Sequence, residues 1–342
     1  MEEGLKTLIY LSAGLFMGWS LGANDAANIF GTAVATRMIR FKTAALLMSL
    51  FIALGAVVSG SGPAATLGAL GAVTRIEEAF LVSLTAAVTV MVMTRRGLPV
   101  STSQAIVGAL VGWNLHSGES IDMSVLTKIA STWVVAPLLG ALFAMGLYLL
   151  MKMFHERSHI HLVKMDRLIR VGLVLSGIFG AYSLGASNMA NVMGVFTNSF
   201  SIDLVMGSGR QMITSQQLLF LLGAAAISLG VYTYSHRVMQ TVGSQIYRLT
   251  PPAALVVVLS SALVLFLFAS QGLKSVLIAA GLPSLPLVPV SQSQTVVGAV
   301  IGIGLVRGGR NLNLKMLGTI MAGWVITPLA AMILAFFLLS FV

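Results

Sequence analysis

The stretch "LGANDAANIFG", residues 21–31, sets one aspartate, two asparagines and two glycines inside an otherwise apolar run. Glycine and asparagine are poor helix formers, and Asn and Asp side chains compete for their own backbone, so the stretch predicts a break in a long apolar helix. The chain around it has 342 residues, 57% hydrophobic and 9% charged, with a mean hydropathy of +0.95. That composition excludes an ordinary soluble domain. Apolar runs long enough to cross about 30 Å of hydrocarbon recur along the chain without the alternation of barrel strands, so helices must satisfy the backbone. The expected fold class is an all-α polytopic membrane protein with broken helices and re-entrant segments. Glu2 and Glu3 lead into the first apolar run without a small-residue cleavage site, so that run is expected to stay as the first span.

An irregular backbone at membrane depth is tolerated where it is buried in protein or lines a cavity, and a carboxylate there is costly. Asp25 is therefore read as functional. The structural alternative is a kink in which Asp25 caps a half-helix, and the two readings are compatible.

Loop charges give the expected topology. Glu2, Glu3 and Lys6 are followed by Arg37, Arg40 and Lys42, then Arg75 with Glu77 and Glu78, then Arg95 and Arg96. Glu119 and Asp122 come next, a basic run from Lys152 to Arg170, Asp203 with Arg210, Arg237 and Arg248, and finally Arg307, Arg310 and Lys315. With basic loops cytoplasmic, the reading is about ten crossings with both termini outside the cell membrane. The expected spans are roughly 5–36, 41–59, 78–94, 97–114, 125–151, 168–200, 215–235, 252–269, 272–306 and 315–341; Lys274 is the exception, on the outer side.

The polar segment 152–167, expected to be a cytoplasmic linker, separates two similar halves, 1–151 and 168–342. "SLGANDAANIFG" from Ser20 returns as "SLGASNMANVMG" from Ser183, "PVSTSQAIVGALVG" from Pro99 as "PVSQSQTVVGAVIG" from Pro289, and "WVVAPL" from Trp133 as "WVITPL" from Trp324. The order is preserved. Five crossings per half, an odd number, place the second copy upside down: two inverted repeats, an architecture of secondary transporters whose sites lie where the copies meet.

The paired proline–serine segments each read as a helix N-terminus. The helix Ser101–Asn114 would span only about 21 Å, too short to cross alone, so it is expected to begin inside the membrane. Its N-terminus offers open N–H groups and partial positive charge, and Ser101, Thr102, Ser103 and Gln104 add polar groups. Ser291, Gln292, Ser293 and Gln294 repeat the arrangement. Two such ends brought together would cradle a small oxyanion; the alternative is hydroxyls acting as glue between helices. No span carries a deep arginine or lysine, so Asp25 suits a ligand of Na⁺ or H⁺, or an acceptor for a proton on the substrate.

Other features point away from other functions. There is no cysteine, which removes disulfides and thiolate chemistry. The net charge of +10 suits loops facing anionic lipid rather than nucleic acid. His155, His159 and His161 lie in a basic segment with little acidic support and are read as solvated, not as metal ligands. "GSGPAATLGALG", residues 60–71, lacks the lysine of a phosphate-binding loop. No nucleophile with an acid–base partner can be assembled in the membrane, so neither an enzyme nor a resident cofactor is expected.

The two GANDxAN-like motifs, the paired "PVS[TQ]SQ" segments and the inverted halves resemble the PiT family of inorganic phosphate transporters over nearly the whole chain. The resemblance implies a symporter importing inorganic phosphate with Na⁺ or H⁺, usually as a homodimer. It assigns the oxyanion to the repeated motifs, including Asn28 and Asn191, and the coupling ion to Asn24, Asp25 and Asn188. Two departures stand out: the second motif has Asn188 where the family usually has an aspartate and Ser187 where it has asparagine, and Gln104 and Gln294 replace a frequent histidine. A short branch of the family carries sulfate, and the compact length here is similar to that branch. Phosphate near neutral pH keeps a proton that Asp25 can accept, whereas sulfate has none and would be repelled, so phosphate leads and sulfate is the alternative.

Overall fold

In a computed structural model of the chain the described residues are 2–71, 73–95, 100–157, 161–200, 213–236, 239, 249–309 and 312–340. Pro99, His159 and the loop charges Arg96, Asp203, Arg210, Arg237, Arg248 and Arg310 lie outside them.

The fold is all-helical. Helix α1 (Glu2–Asn24) stops at a two-residue turn and resumes as α2 (Ala27–Ala35). Then come α3 (Phe41–Ser59), the short α4 (Ser61–Gly68), α5 (Ile76–Arg95), α6 (Thr102–Ser117) and α7 (Met123–Arg157). The second half runs through α8 (Leu162–Met193), α9 (Ser215–Gly230, extended by a wider turn Val231–Ser235), α10 (Pro251–Ala269), α11 (Gln271–Ala279), α12 (Gln292–Val306) and α13 (Leu314–Leu339). Among the described residues seven helical segments are long and apolar enough to cross a membrane: α3, α5, α7, α8 with its following turn, α9 with its wider turn, α10 and α13. The chain is a multi-pass membrane protein.

Packing repeats across the halves. In α6, a Cβ at Gly108 or Gly112 would strike the carbonyl of Pro328 or Met332 on α13; in α12, a Cβ at Gly298 or Gly302 would strike Pro137 or Ala141 on α7. The short helix of each half thus packs on the last helix of the other. The same exchange recurs where Gly22 of α1 meets the carbonyl of Ile227 and Gly185 of α8 that of Ile52, with Gly230 on Trp19 and Gly55 on Tyr182. In a bilayer, where apolar lipid competes for every apolar surface, close backbone approach at glycine is a main source of helix association. These matched contacts are the inverted repeat seen as packing.

One expectation needs correction. The span 272–306 is not one helix: α11 has nine residues, and the chain is then non-helical until α12. Ser270 begins α11 by accepting from the Leu273 N–H (3.1 Å), and the irregular segment folds back, its Val288 N–H donating to Phe268 O (3.1 Å) and its Leu287 O accepting from Thr66 of α4 (2.6 Å). Those bonds satisfy a backbone that a helix would have satisfied internally. In the segment 152–167, α7 runs on to Arg157 and α8 starts at Leu162.

The two polar motifs differ in course: the first breaks its helix, as expected, and the second does not. After Asn24 the bonding tightens, with Asn28 N–H to Asp25 O (3.1 Å) and Ile29 N–H to Ala26 O (3.2 Å), whereas α8 stays helical through Asn188 and Asn191 and tightens only at Gly194–Phe196. Propensity is weak against packing. Here the Ser187 hydroxyl is turned to another segment, accepting from Val290 N–H, instead of competing for its own helix.

Candidate functional site

Helices α6 and α12 start deep in the protein. Ser101 precedes α6 in extended conformation and its hydroxyl accepts from Gln104 N–H (3.2 Å); Ser291 does the same for Gln294 N–H (3.3 Å) at α12. Each serine is an N-cap, leaving further N–H groups of the first turn open. The two ends meet: Ser293 Oγ donates to the carbonyl of Val100, the residue before the α6 cap (2.8 Å), and lies 3.2 Å from Ser291 Oγ.

The polar motifs of α1 and α8 close on this junction. Asn24 Nδ2 donates to Val100 O (3.3 Å), and Thr102 Oγ1 donates to Asp25 Oδ2 (2.8 Å). From the other half, Ser187 Oγ accepts from Val290 N–H (3.0 Å), while Asn191 Nδ2 donates to Ser103 Oγ (2.8 Å) and to Asn188 Oδ1 (3.4 Å). Every residue nominated from the sequence lies in this buried region: Asn24, Asp25, Asn28, Ser101, Thr102, Ser103, Gln104, Asn188, Asn191, Ser291, Gln292, Ser293 and Gln294, the most accessible being Asn28 at 8%.

The cluster is under-satisfied. Asp25 Oδ1, Gln104 Oε1, Asn191 Oδ1 and Gln294 Oε1 are buried acceptors without a hydrogen-bond partner, and Asn28 Nδ2 and Asn188 Nδ2 are buried donors in the same condition. Each such group costs about 1–3 kcal/mol when desolvated without a partner. Native proteins leave few, so six on one cluster single it out as the candidate binding site. Asp25 is the sole acidic or basic side chain buried among the described residues. The arrangement can therefore meet an anion with dipoles and neutral donors, and a small cation with one carboxylate and amide oxygens.

Some of the geometry was beyond sequence reading. The backbone of Val100 and Val290 ties the motifs together, and nothing in an apolar side chain signals that. Trp133 and Trp324, noticed only as repeat markers, line a crevice of about 550 Å³ that also reaches Gln104 and Gln294; both indole N–H groups lack a partner. Their matched positions in "WVVAPL" and "WVITPL" were the available signal.

Comparison with known proteins agrees with this architecture. The sequence matches the profile of the Phosphate transporter family over residues 21–166 and 155–335. A protein of Methanocaldococcus jannaschii with a provisional phosphate-permease name is 27% identical over 326 residues, covering 95% of this chain and 94% of its own. The sulfate permease CysP of Bacillus subtilis is 27% identical over 338 residues, covering 95% and 85% respectively. Among solved structures, one described as the sodium-dependent phosphate transporter shares the fold, with a TM-score of 0.74 at 23% identity over 98% of this chain and 99% of that one. With its polar motifs and its paired half-helices in matching places, the chain belongs to the phosphate transporter family, a family of membrane transporters and not of enzymes.

Proposed function

We propose that the chain imports inorganic phosphate by cation-coupled symport, with alternating access around the junction of α6 and α12. The observation carrying this reading is the convergence of two capped helix starts on a buried set of unpartnered amide groups and one carboxylate. Ser101, Thr102, Ser103 and Gln104, with Ser291, Gln292, Ser293 and Gln294, supply the helix-end dipoles, N–H groups and hydroxyls for the oxyanion, and Asn28 and Asn191 flank them. Asn24, Asp25 and Asn188 form the coupling-ion side. With one buried carboxylate and no buried basic side chain among the described residues, a co-bound Na⁺ or H⁺ offsets the repulsion between Asp25 and the anion. The solved transporter of the same fold is described as sodium-dependent, which puts Na⁺ first.

On this reading the halves 1–151 and 168–342 move against each other, 152–167 and the other basic loops face the cytoplasm, both termini lie outside the cell membrane, and the working unit is a homodimer. Sulfate is the second reading, favoured by the likeness to a sulfate permease. Uptake of labelled phosphate and labelled sulfate into proteoliposomes under Na⁺ or pH gradients tests it. Phosphate accumulation driven by one gradient is expected. Sulfate uptake with no competition by phosphate would replace the substrate, and uptake indifferent to both gradients would indicate a channel.

A further inference from the structure

A second cavity, of about 690 Å³, lies away from the site among Met38, the end of α7, the first turns of α8, the start of α10 and Arg307 after α12. Its walls are divided by chemistry. Met38, Met151 and Leu255 are among its apolar lining, and Lys152, His155 and Arg307 are the basic residues that line it. Arg307 is held in place: its Nε donates to Tyr148 Oη (2.8 Å) and its guanidinium lies 5.0 Å from the centre of the Tyr148 ring. Among the described residues one acid lines the cavity, Asp166, and it is paired with Arg170 (3.4 Å). Glu156 stands 3.8 Å from Lys152, but both side chains are more than half exposed, and such a pair leaves the lysine largely available to another anion.

The depth of this cleft follows from α7. Between Lys128 and Lys152 its sequence has no charged residue, and the 24 steps between them rise about 36 Å, slightly more than the hydrocarbon thickness. Lys152 therefore stands at headgroup level. From the cleft an apolar track leads back toward the bilayer: Leu168, Val171 and Leu175 of α8 share a face at three- and four-residue spacing and are 46%, 50% and 61% exposed.

We propose that this cleft is a binding site for an anionic phospholipid, its headgroup phosphate on Lys152 and Arg307 and an acyl chain along Leu168, Val171 and Leu175. Charge complementarity decides the occupant: a zwitterionic lipid brings its own cation toward these basic groups, whereas an anionic lipid brings only negative charge. The lipid would bridge α7, α8 and the end of α12, joining the two halves at their one covalent connection.

Native mass spectrometry of the full-length protein released from mixed phosphatidylglycerol–phosphatidylcholine micelles tests this. Selective retention of phosphatidylglycerol is expected, falling about fivefold for each basic group removed in Lys152→Gln and Arg307→Gln. Arg307→Lys should keep retention near the parent, and Lys128→Gln, at the opposite end of α7, should leave it unchanged. Should the Arg307→Gln protein fail to fold, Lys152→Gln alone carries the test, since that side chain is 58% exposed. Equal retention of phosphatidylcholine, or undiminished selectivity in Lys152→Gln, overturns the assignment.

Discussion

Thr102 Oγ1 donates to Asp25 Oδ2 across 2.8 Å, fastening the first turn of α6 to the break between α1 and α2. A hydrogen bond to a charged group is worth about 1.5–3 kcal/mol, so its loss corresponds to roughly a tenfold to hundredfold change in an equilibrium. Thr102→Val should therefore weaken the cation dependence of phosphate uptake by about tenfold or more, and Thr102→Ser should restore most of it. Cation-titrated uptake in proteoliposomes reads both; a Thr102→Val protein with the parent's cation dependence would count against a role for the bond.

Asp25 and Asn188 occupy matching places in the two motifs but differ in charge. Asp25→Asn should depress gradient-driven uptake by about tenfold or more, because it removes the one carboxylate buried among the described residues. Asn188→Asp should be much better tolerated, since it adds an acid beside an existing partner network. Comparable losses in the two variants would remove the functional asymmetry.

Ser293→Ala deletes the bond from α12 to the Val100 carbonyl. The expected result is a loss of about 1 kcal/mol in thermal stability, near the mean for a neutral hydrogen bond, with a larger effect on substrate affinity because the two helix starts lose their register. Scintillation proximity binding of phosphate, compared with the unfolding midpoint in detergent, separates the two effects. A change in stability with unaltered affinity would leave Ser293 a structural residue.

The candidate site was legible in the sequence because its residues are polar where polarity is expensive. Asp25, Asn28, Ser101 and Ser291 stand out against an apolar background, and each appears twice or has a counterpart. Their meeting was legible through the repeat. What sequence could not reveal was carried by backbone: the Val100 carbonyl, the Val290 N–H and the fold-back of the chain between α11 and α12. The expected crossing 272–306 failed for that reason, since apolar composition does not distinguish a lipid-exposed span from an irregular segment hidden in protein. The helical course of the second motif shows the other limit, because Ser187, Asn188 and Asn191 have poor intrinsic helix preference yet α8 holds its course through them.

Gly108 and Gly298 admit the carbonyls of Pro328 and Pro137 so closely that a methyl group has no room. Gly108→Ala and Gly298→Ala should each cost about 1–3 kcal/mol, the usual penalty for overpacking. Gly146→Ala and Gly318→Ala, where an added Cβ meets nothing within 4 Å, should be neutral or slightly stabilising, as expected for alanine in a helix. Unfolding midpoints in detergent distinguish the pairs.

At the start of α7, Asp122 Oδ1 accepts from the N–H groups of Val125 (3.1 Å) and Ser124 (2.9 Å). These bonds, that from Val125 foremost, hold its carboxyl below the usual 3.8. A depressed folded-state value means the cap stabilises above about pH 4 and loses that contribution as the pH falls through the folded value. Asp122→Ala should thus lower the unfolding midpoint at neutral pH, and the gap from the parent should narrow on acidification below pH 3.8. A gap that does not depend on pH would contradict the capping role.

The crossed seating of the short helices has a consequence for biosynthesis. A nascent chain that has released α6 has not yet made its packing partner, because Pro328 and Met332 lie far downstream on α13. The glycine seam of α6 must wait for its partner until α13 emerges, about 200 residues later. Assembly is therefore dominated by contacts distant in sequence, which makes it slow and vulnerable to truncation. A chain cut short before α13 would leave the glycine seam of α6 without the carbonyls of Pro328 and Met332 that it is shaped to receive.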